Sequence, residues 1–126
     1  MNDSLRESLS YFGLFRRMFA VKKTVKAEKV SFGKDKNQYF LYFEPKKITS
    51  EKIIVWVHGG GWNSGTPAVF DFVGQAMCSY GYRFISIGYR LSPKNKFPVQ
   101  IEDVCTGYNA AIKFLKQKNI DTSKII

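Results

Sequence analysis

No Gly-x-Ser-x-Gly segment occurs in these 126 residues, and His58 is the sole histidine. A complete Ser-His-acid triad built on a nucleophile elbow is thereby excluded within the sequence. Cys78 and Cys105 stand apart with no Cys-x-x-Cys spacing, so no disulfide framework is indicated. Both are placed on the apolar side of predicted helices, as small reduced hydrophobes. The N-terminus, Met1 to Glu7, carries charge where a signal peptide builds its apolar core. Reduced thiols and no secretory segment point to the cytoplasm. No membrane span is present either: residues 53–82 lack Lys and Arg but contain three consecutive glycines, His58, Asn63 and Asp71. Acidic residues are scarce, 10 against 20 Lys and Arg, for a net charge of +10. Residues 16–36 concentrate cations, with Glu28 and Asp35 their only acidic residues. Diffuse positive charge of this kind attracts anionic surfaces, yet no nucleic-acid motif accompanies it. Nucleic acid is therefore not an expected partner, and weak association with anionic membrane is the use left open. Internal repeats and low-complexity tracts are also missing.

What is present suits one packed α/β domain: 44% hydrophobic residues, 16% aromatic, and a length within the single-domain range. Ser4 with Glu7 forms a capping box, and Leu5, Leu9, Phe12, Phe15 and Phe19 recur at helical spacing, predicting an amphipathic helix over 4–19. Residues 1–23 are read as this helix with a basic linker, and 24–126 as the domain proper. Apolar runs over 24–32 and 38–43, separated by the turn-rich 33–37, predict an antiparallel strand pair. The β-branched and aromatic run 52–57 predicts a strand buried on both faces. Thr66 is placed as an N-cap and Pro67 as the first residue of a helix reaching Tyr80. A strand over 82–89 follows. Pro98 then opens a helix with the stripe Ile101, Val104, Cys105, Tyr108, Ala111, Ile112 and Leu115. Residues 124–126 begin another strand. The order predicts an antiparallel hairpin followed by a parallel βαβα arrangement.

The most informative segment is His58-Gly59-Gly60-Gly61-Trp62, at the exit of the 52–57 strand. Successive glycines let the backbone turn sharply and bring bare N–H groups up to a ligand. On the glycines alone, a tight turn without chemistry explains them equally well. Three further segments follow in order: Tyr89-Arg90-Leu91-Ser92-Pro93, Phe97-Pro98-Val99 and Glu102-Asp103-Val104. Together they resemble esterase/lipase-type members of the α/β-hydrolase superfamily, the hormone-sensitive-lipase-like carboxylesterases. The His-Gly-Gly-x-Trp form also resembles kynurenine-formamidase-like members. The resemblance covers roughly Gln38 to Ile126.

It implies roles residue by residue. Gly60 and Gly61 would lend backbone N–H groups to an oxyanion hole, and Gly59 would permit the turn. His58 would be a hydrogen-bonded structural histidine, because the catalytic base of this fold comes later in the chain. Trp62 would wall an acyl pocket or pack beneath the loop. Asp103, read in the first turn of its helix, would pair with Arg90 and brace the site. The substrate would be a small acyl ester or amide, with no metal or organic cofactor. Ile120 to Ile126 would lead into the fifth strand, which carries the nucleophile elbow in the family. The expectation is thus a partial α/β-hydrolase fold, truncated at the start of that strand, that supplies the oxyanion loop and is inactive alone. Phe84-x-Ser86-x-Gly88 is a near miss inside a strand and is read as structural. Without a following strand, 53–57 would be an exposed apolar edge favouring oligomers. The alternative is a non-catalytic module binding membranes through Phe12, Phe15, Met18 and Phe19 beside Arg16 and Arg17. The resemblance instead implies that this N-terminal segment forms part of a cap.

Overall fold

In the computed structural model, which describes Phe12, Gly13 and residues 16–126, the alternation within Tyr39-Phe40-Leu41-Tyr42-Phe43 sets the layers. This strand, β2 (Tyr39–Phe43), is buried at every position. Tyr39, Leu41 and Phe43 cluster with Cys78 and Phe84 on one side, whereas Phe40 and Tyr42 join Ile53, Ile85, Ile87, Ala111 and Leu115 on the other. Side chains of successive strand residues point to opposite faces, so both faces need a covering layer. Helix α1 (Asp71–Ser79) covers the first with Val73, Met77 and Cys78, and helix α2 (Val99–Gln117) covers the second with Ala111, Phe114 and Leu115. Phe114 meets Phe40 and Tyr42 edge-on, with centroids 5.5 and 5.2 Å apart.

The remaining strands are β1 (Glu28–Ser31), β3 (Ile53–Val57) and β4 (Arg83–Ile87), in the sheet order β1-β2-β4-β3. β1 pairs antiparallel with β2, β2 antiparallel with β4, and β4 parallel with β3. The expected hairpin and parallel crossover are therefore both present. After a short 3-10 turn at Thr122–Lys124, Ile125 bridges Ile53 in parallel. The Ile126 N–H donates to the Ile53 carbonyl, and the Val55 N–H to the Ile126 carbonyl, each at 2.9 Å. The outer edge of β3, expected to be bare, is thus closed in part. β3 itself departs from the expectation of burial on both faces, since only Ile53 is buried. The helices explain this: α2 packs over β4 and β2.

Two further expectations need correction. The first helix begins at Asp71, because Phe70 turns inward to pack against Trp56 (5.5 Å) and His58 (5.7 Å). Thr66 instead caps the preceding turn, its Oγ1 accepting from the Val69 N–H at 3.2 Å. In α2 the buried face is Gln100, Asp103, Gly107, Ala111 and Leu115, so Ile101, Cys105 and Tyr108 from the expected stripe are exposed. Gly107 helps fix this phase: a Cβ there would lie 2.6 Å from Ile87 Cγ2, so the helix approaches the sheet at that residue. Cys78 is buried as expected, and burial, with the Glu44 charge adding, pushes its thiol up to about 11.

Of the expected helix over 4–19, Phe12, Gly13 and residues 16–19 are helical; the other positions lie outside the described residues. The chain leaving that segment is held by Gln75, buried in α1. Its Oε1 accepts from the Thr24 and Val25 N–H groups at 2.9 and 3.2 Å, and its Nε2 donates to the Val25 carbonyl at 2.8 Å. No described helix is long and apolar enough to cross a membrane.

Candidate active site

The chain leaves β3 at its C-terminal end, the end at which open α/β sheets bind ligands. His58 follows at once and is 3% exposed. Its Nδ1 lies 2.7 Å from the Gly59 carbonyl. A carbonyl only accepts, so Nδ1 carries the proton. Nε2 is buried and unpartnered among the described residues. Burial lowers the imidazole's affinity for a second proton, with the Gly59 carbonyl opposing weakly, so the ring sits below the usual histidine range.

Beyond His58 the backbone opens. Gly60 has φ of 128° and Gly61 φ of 61°, both in the region that favours glycine. The Asn63 and Ser64 N–H groups donate to the Gly60 carbonyl at 3.2 Å each, and Ser64 Oγ does so at 2.9 Å. A Cβ on Gly60 would run into the Ser64 carbonyl, whereas one on Gly61 would meet nothing nearer than Asn63 Oδ1 at 3.9 Å. Gly59, Gly60 and Gly61 are exposed, and among the described residues the Gly60 and Gly61 N–H groups have no acceptor. Gly59 departs from the sequence expectation: it has no positive φ, and a Cβ there would meet nothing within 4 Å, so the turn resides in Gly60 and Gly61.

Trp62 also takes positive φ, 65°, an uncommon conformation for a bulky residue. Its side chain is 46% exposed, lies 5.0 Å from the Tyr89 ring, and lines a cavity of about 300 Å³ with Gly61, Ser92, Phe97, Gln100 and Ile101. The ring thus borders a cavity and touches Tyr89 while nearly half of the residue stays open to solvent. The segment after β4 runs alongside. Tyr89, 1% exposed, donates its hydroxyl to the His58 carbonyl at 2.8 Å and stacks on the imidazole at 4.3 Å. The Ser92 N–H donates to the Trp62 carbonyl at 3.0 Å.

Arg90 and Asp103 meet as expected. Arg90 Nη2 donates to Oδ1 at 2.7 Å, Nε to Oδ2 at 2.9 Å, and the Arg90 backbone N–H to Oδ2 at 2.9 Å. Gln38 Nε2 adds a fourth bond at 2.9 Å. Burial would raise the Asp103 carboxyl, but the bonds from Arg90 and Gln38 outweigh it and hold the group below its ordinary value. Asp103 is the fifth residue of α2, past the first turn, where Glu102 is the acidic residue. Its charge is therefore matched by a guanidinium rather than by the helix terminus. Tyr89 and Ser92 belong to the Tyr89–Pro93 segment, but their contacts with His58 and Trp62, like that of Gln38 with Asp103, span 30 residues or more and have no local signal. Ser86 lies inside β4, buried, consistent with a structural role.

A family model described as BD-FAE matches residues 40–126, more than half of the chain. The chain belongs to the BD-FAE family. With the layered sheet above, this makes it an esterase-type α/β-hydrolase. Rabbit (Oryctolagus cuniculus) arylacetamide deacetylase is 35% identical over 75 residues, covering 57% of this chain and 18% of that protein. The FAD-linked oxidoreductase pytB of Aspergillus terreus is 38% identical over 64 residues, 50% of this chain but 8% of that protein. The solved structure of a bacterial heroin esterase superposes with a TM-score of 0.70 at 22% identity, over 98% of this chain and 41% of that one. Identity that low shows the shared fold alone. In each comparison this BD-FAE chain spans well under half of the matched protein.

Proposed function

We propose that this BD-FAE chain contributes the oxyanion-hole loop of a serine carboxylic-ester hydrolase, with Gly60 and Gly61 as the donors. The observation that carries this reading is the pair of exposed N–H groups that have no acceptor among the described residues, on the glycine loop at the end of β3. Such donors meet negative charge that develops on the carbonyl oxygen of a small acyl ester or amide only near the transition state. One donor of this kind contributes about 3 kcal/mol to lowering the barrier. Trp62 would border the substrate, His58 would support the loop, and Arg90 with Asp103 would brace the segment that packs on it.

Residues 24–126 then form the hydrolase portion and residues 1–23 a cap segment with its basic linker. Met18, Phe19 and Val21 line a cavity with Ala68, Val69 and Phe72, and Phe19 lies 6.5 Å from Phe72. Packing of this segment against the 67–70 turn and the start of α1 supports a cap over the alternative, a membrane-binding module. A reducing, cytoplasmic setting suits the two free cysteines.

Within the 126 residues no elbow serine and no second histidine exist, so the loop acts without a nucleophile of its own. Incubation with 4-nitrophenyl butyrate and with a fluorophosphonate probe tests this. Release at the buffer rate and no serine adduct are expected. Saturable turnover, or an adduct on any serine, would overturn the assignment of roles.

A further inference from the structure

The glycine loop has few restraints of its own, and three consecutive glycines carry the greatest backbone freedom of any sequence. Donors stabilise a developing charge only if they already point at it. On the C-terminal side the Gly60 carbonyl is fixed by Asn63 and Ser64. On the N-terminal side, the His58 imidazole Nδ1 meets the adjacent Gly59 carbonyl at 2.7 Å, which spans a single peptide, and the Tyr89 hydroxyl oxygen at 3.3 Å. The long-range contacts there come from Tyr89, and the shorter is the bond its hydroxyl donates to the His58 carbonyl at 2.8 Å.

Tyr89 also touches the other end of the loop. Its ring stacks on His58 at 4.3 Å with an interplanar angle of 11°, and lies 5.0 Å from Trp62. Its neighbour Arg90 is tied to Asp103 through backbone and side chain, and the Ser92 N–H holds the Trp62 carbonyl at 3.0 Å. The segment 89–92 therefore grips both the first and the last residue of His58-Gly59-Gly60-Gly61-Trp62.

We infer that Tyr89 is a positioning residue: by fixing the His58 carbonyl, its hydroxyl sets the direction of the Gly60 and Gly61 N–H groups. This rests on the oxyanion reading of those two groups. Tyr89 needs no contact with substrate; it acts through the His58–Gly59 peptide. His58 serves as a built-in reporter, because it is the sole histidine and its environment is uncharged: the ring faces Tyr89, Phe70 and the Gly59 carbonyl.

Tyr89→Phe keeps the stacked ring and removes the hydroxyl. Tyr39→Phe is the control, since Tyr39 is also buried and its hydroxyl accepts from the Ala68 N–H at 3.4 Å near the same end of the sheet. Amide 15N relaxation on the full chain reads loop order, the His58 ring proton reads its titration, and butyrate titration reads anion binding at Gly60 and Gly61. In the unmodified chain the two glycine amides should show order parameters near those of rigid backbone, roughly 0.85. In Tyr89→Phe they should fall below about 0.6, the flexible range, with His58 titrating closer to an ordinary histidine and butyrate binding weakened roughly fivefold. β1 and β2 amides should not change, and Tyr39→Phe should do none of this. Unaltered glycine order in Tyr89→Phe, or the same loosening in Tyr39→Phe, would overturn the inference. Equal butyrate binding by the unmodified chain and Tyr89→Phe would overturn it and leave the oxyanion reading standing. If butyrate binds neither, the oxyanion reading fails and the positioning role falls with it.

Discussion

Two loops leave the same end of the sheet and solve opposite problems. The segment after β3, residues 58–65, exposes donors that have no acceptor among the described residues, bends through three glycines and a tryptophan at positive φ, and carries no charged side chain. The segment after β4 commits its polar groups: Arg90 to Asp103, Ser92 to Trp62, Tyr89 to His58. Unsatisfied N–H groups are tolerable where solvent or ligand can reach them and costly where neither can. On the proposed reading, one loop offers its backbone for binding and the other, with these polar groups paired, holds it in place.

The largest test of this division falls on the saturated side. Asp103 is 2% exposed and takes four hydrogen bonds, so Asp103→Asn removes the charge that matches Arg90. Chemical denaturation should show a loss of about 3 kcal/mol, as expected when one partner of a buried pair is removed. Swapping the two residues, Arg90→Asp with Asp103→Arg, should recover part of that loss. A change under about 1 kcal/mol for Asp103→Asn would mean that the brace is not needed.

The glycine loop should respond in a graded way. Gly60→Ala combines positive φ with collision against the Ser64 carbonyl and should cost on the order of 2 kcal/mol. Gly61→Ala has room but a left-handed backbone and should cost about 1 kcal/mol. Gly59→Ala, with open space and no positive φ, should stay within about 0.5 kcal/mol of the unmodified chain. Equal effects at the three positions, measured by thermal unfolding, would erase the distinction within the loop.

Proton linkage separates the regions by pH, with smaller effects. His58 and Asp103 both bind protons less readily folded than unfolded, so each contributes stability that is lost as pH falls. For His58 the loss begins below its ordinary value of 6.5 and continues down to its lowered folded value; for Asp103 it begins only below 3.8. Stability followed from pH 7 downward should therefore decline in two stages. His58→Gln should remove the upper stage and leave the lower.

Much of this was legible in the chain. The hairpin, the order of parallel elements and the pairing of Arg90 with Asp103 all agree with local pattern and motif. The phase of α2 was not legible, because its inward face includes Gln100, Asp103 and Gly107, which hydropathy assigns outward. Asp103 is drawn in by Arg90 and Gln38, partners distant in sequence. The start of α1 is not legible either: Thr66-Pro67 is a good local start, but Phe70 is claimed by Trp56 and His58. Three identical residues, Gly59 to Gly61, give no sign of which two take positive φ.

Titration of the 15N-labelled chain with butyrate, followed at the Gly60 and Gly61 amides, tests the central claim most directly. The account predicts that these two resonances move together and saturate, and that Gly61→Pro, which deletes one donor and whose ring cannot take the φ of 61° found there, weakens the response at Gly60. Shifts confined to the lysine-rich surface of this chain of net charge +10, with Gly60 and Gly61 unmoved, would contradict it.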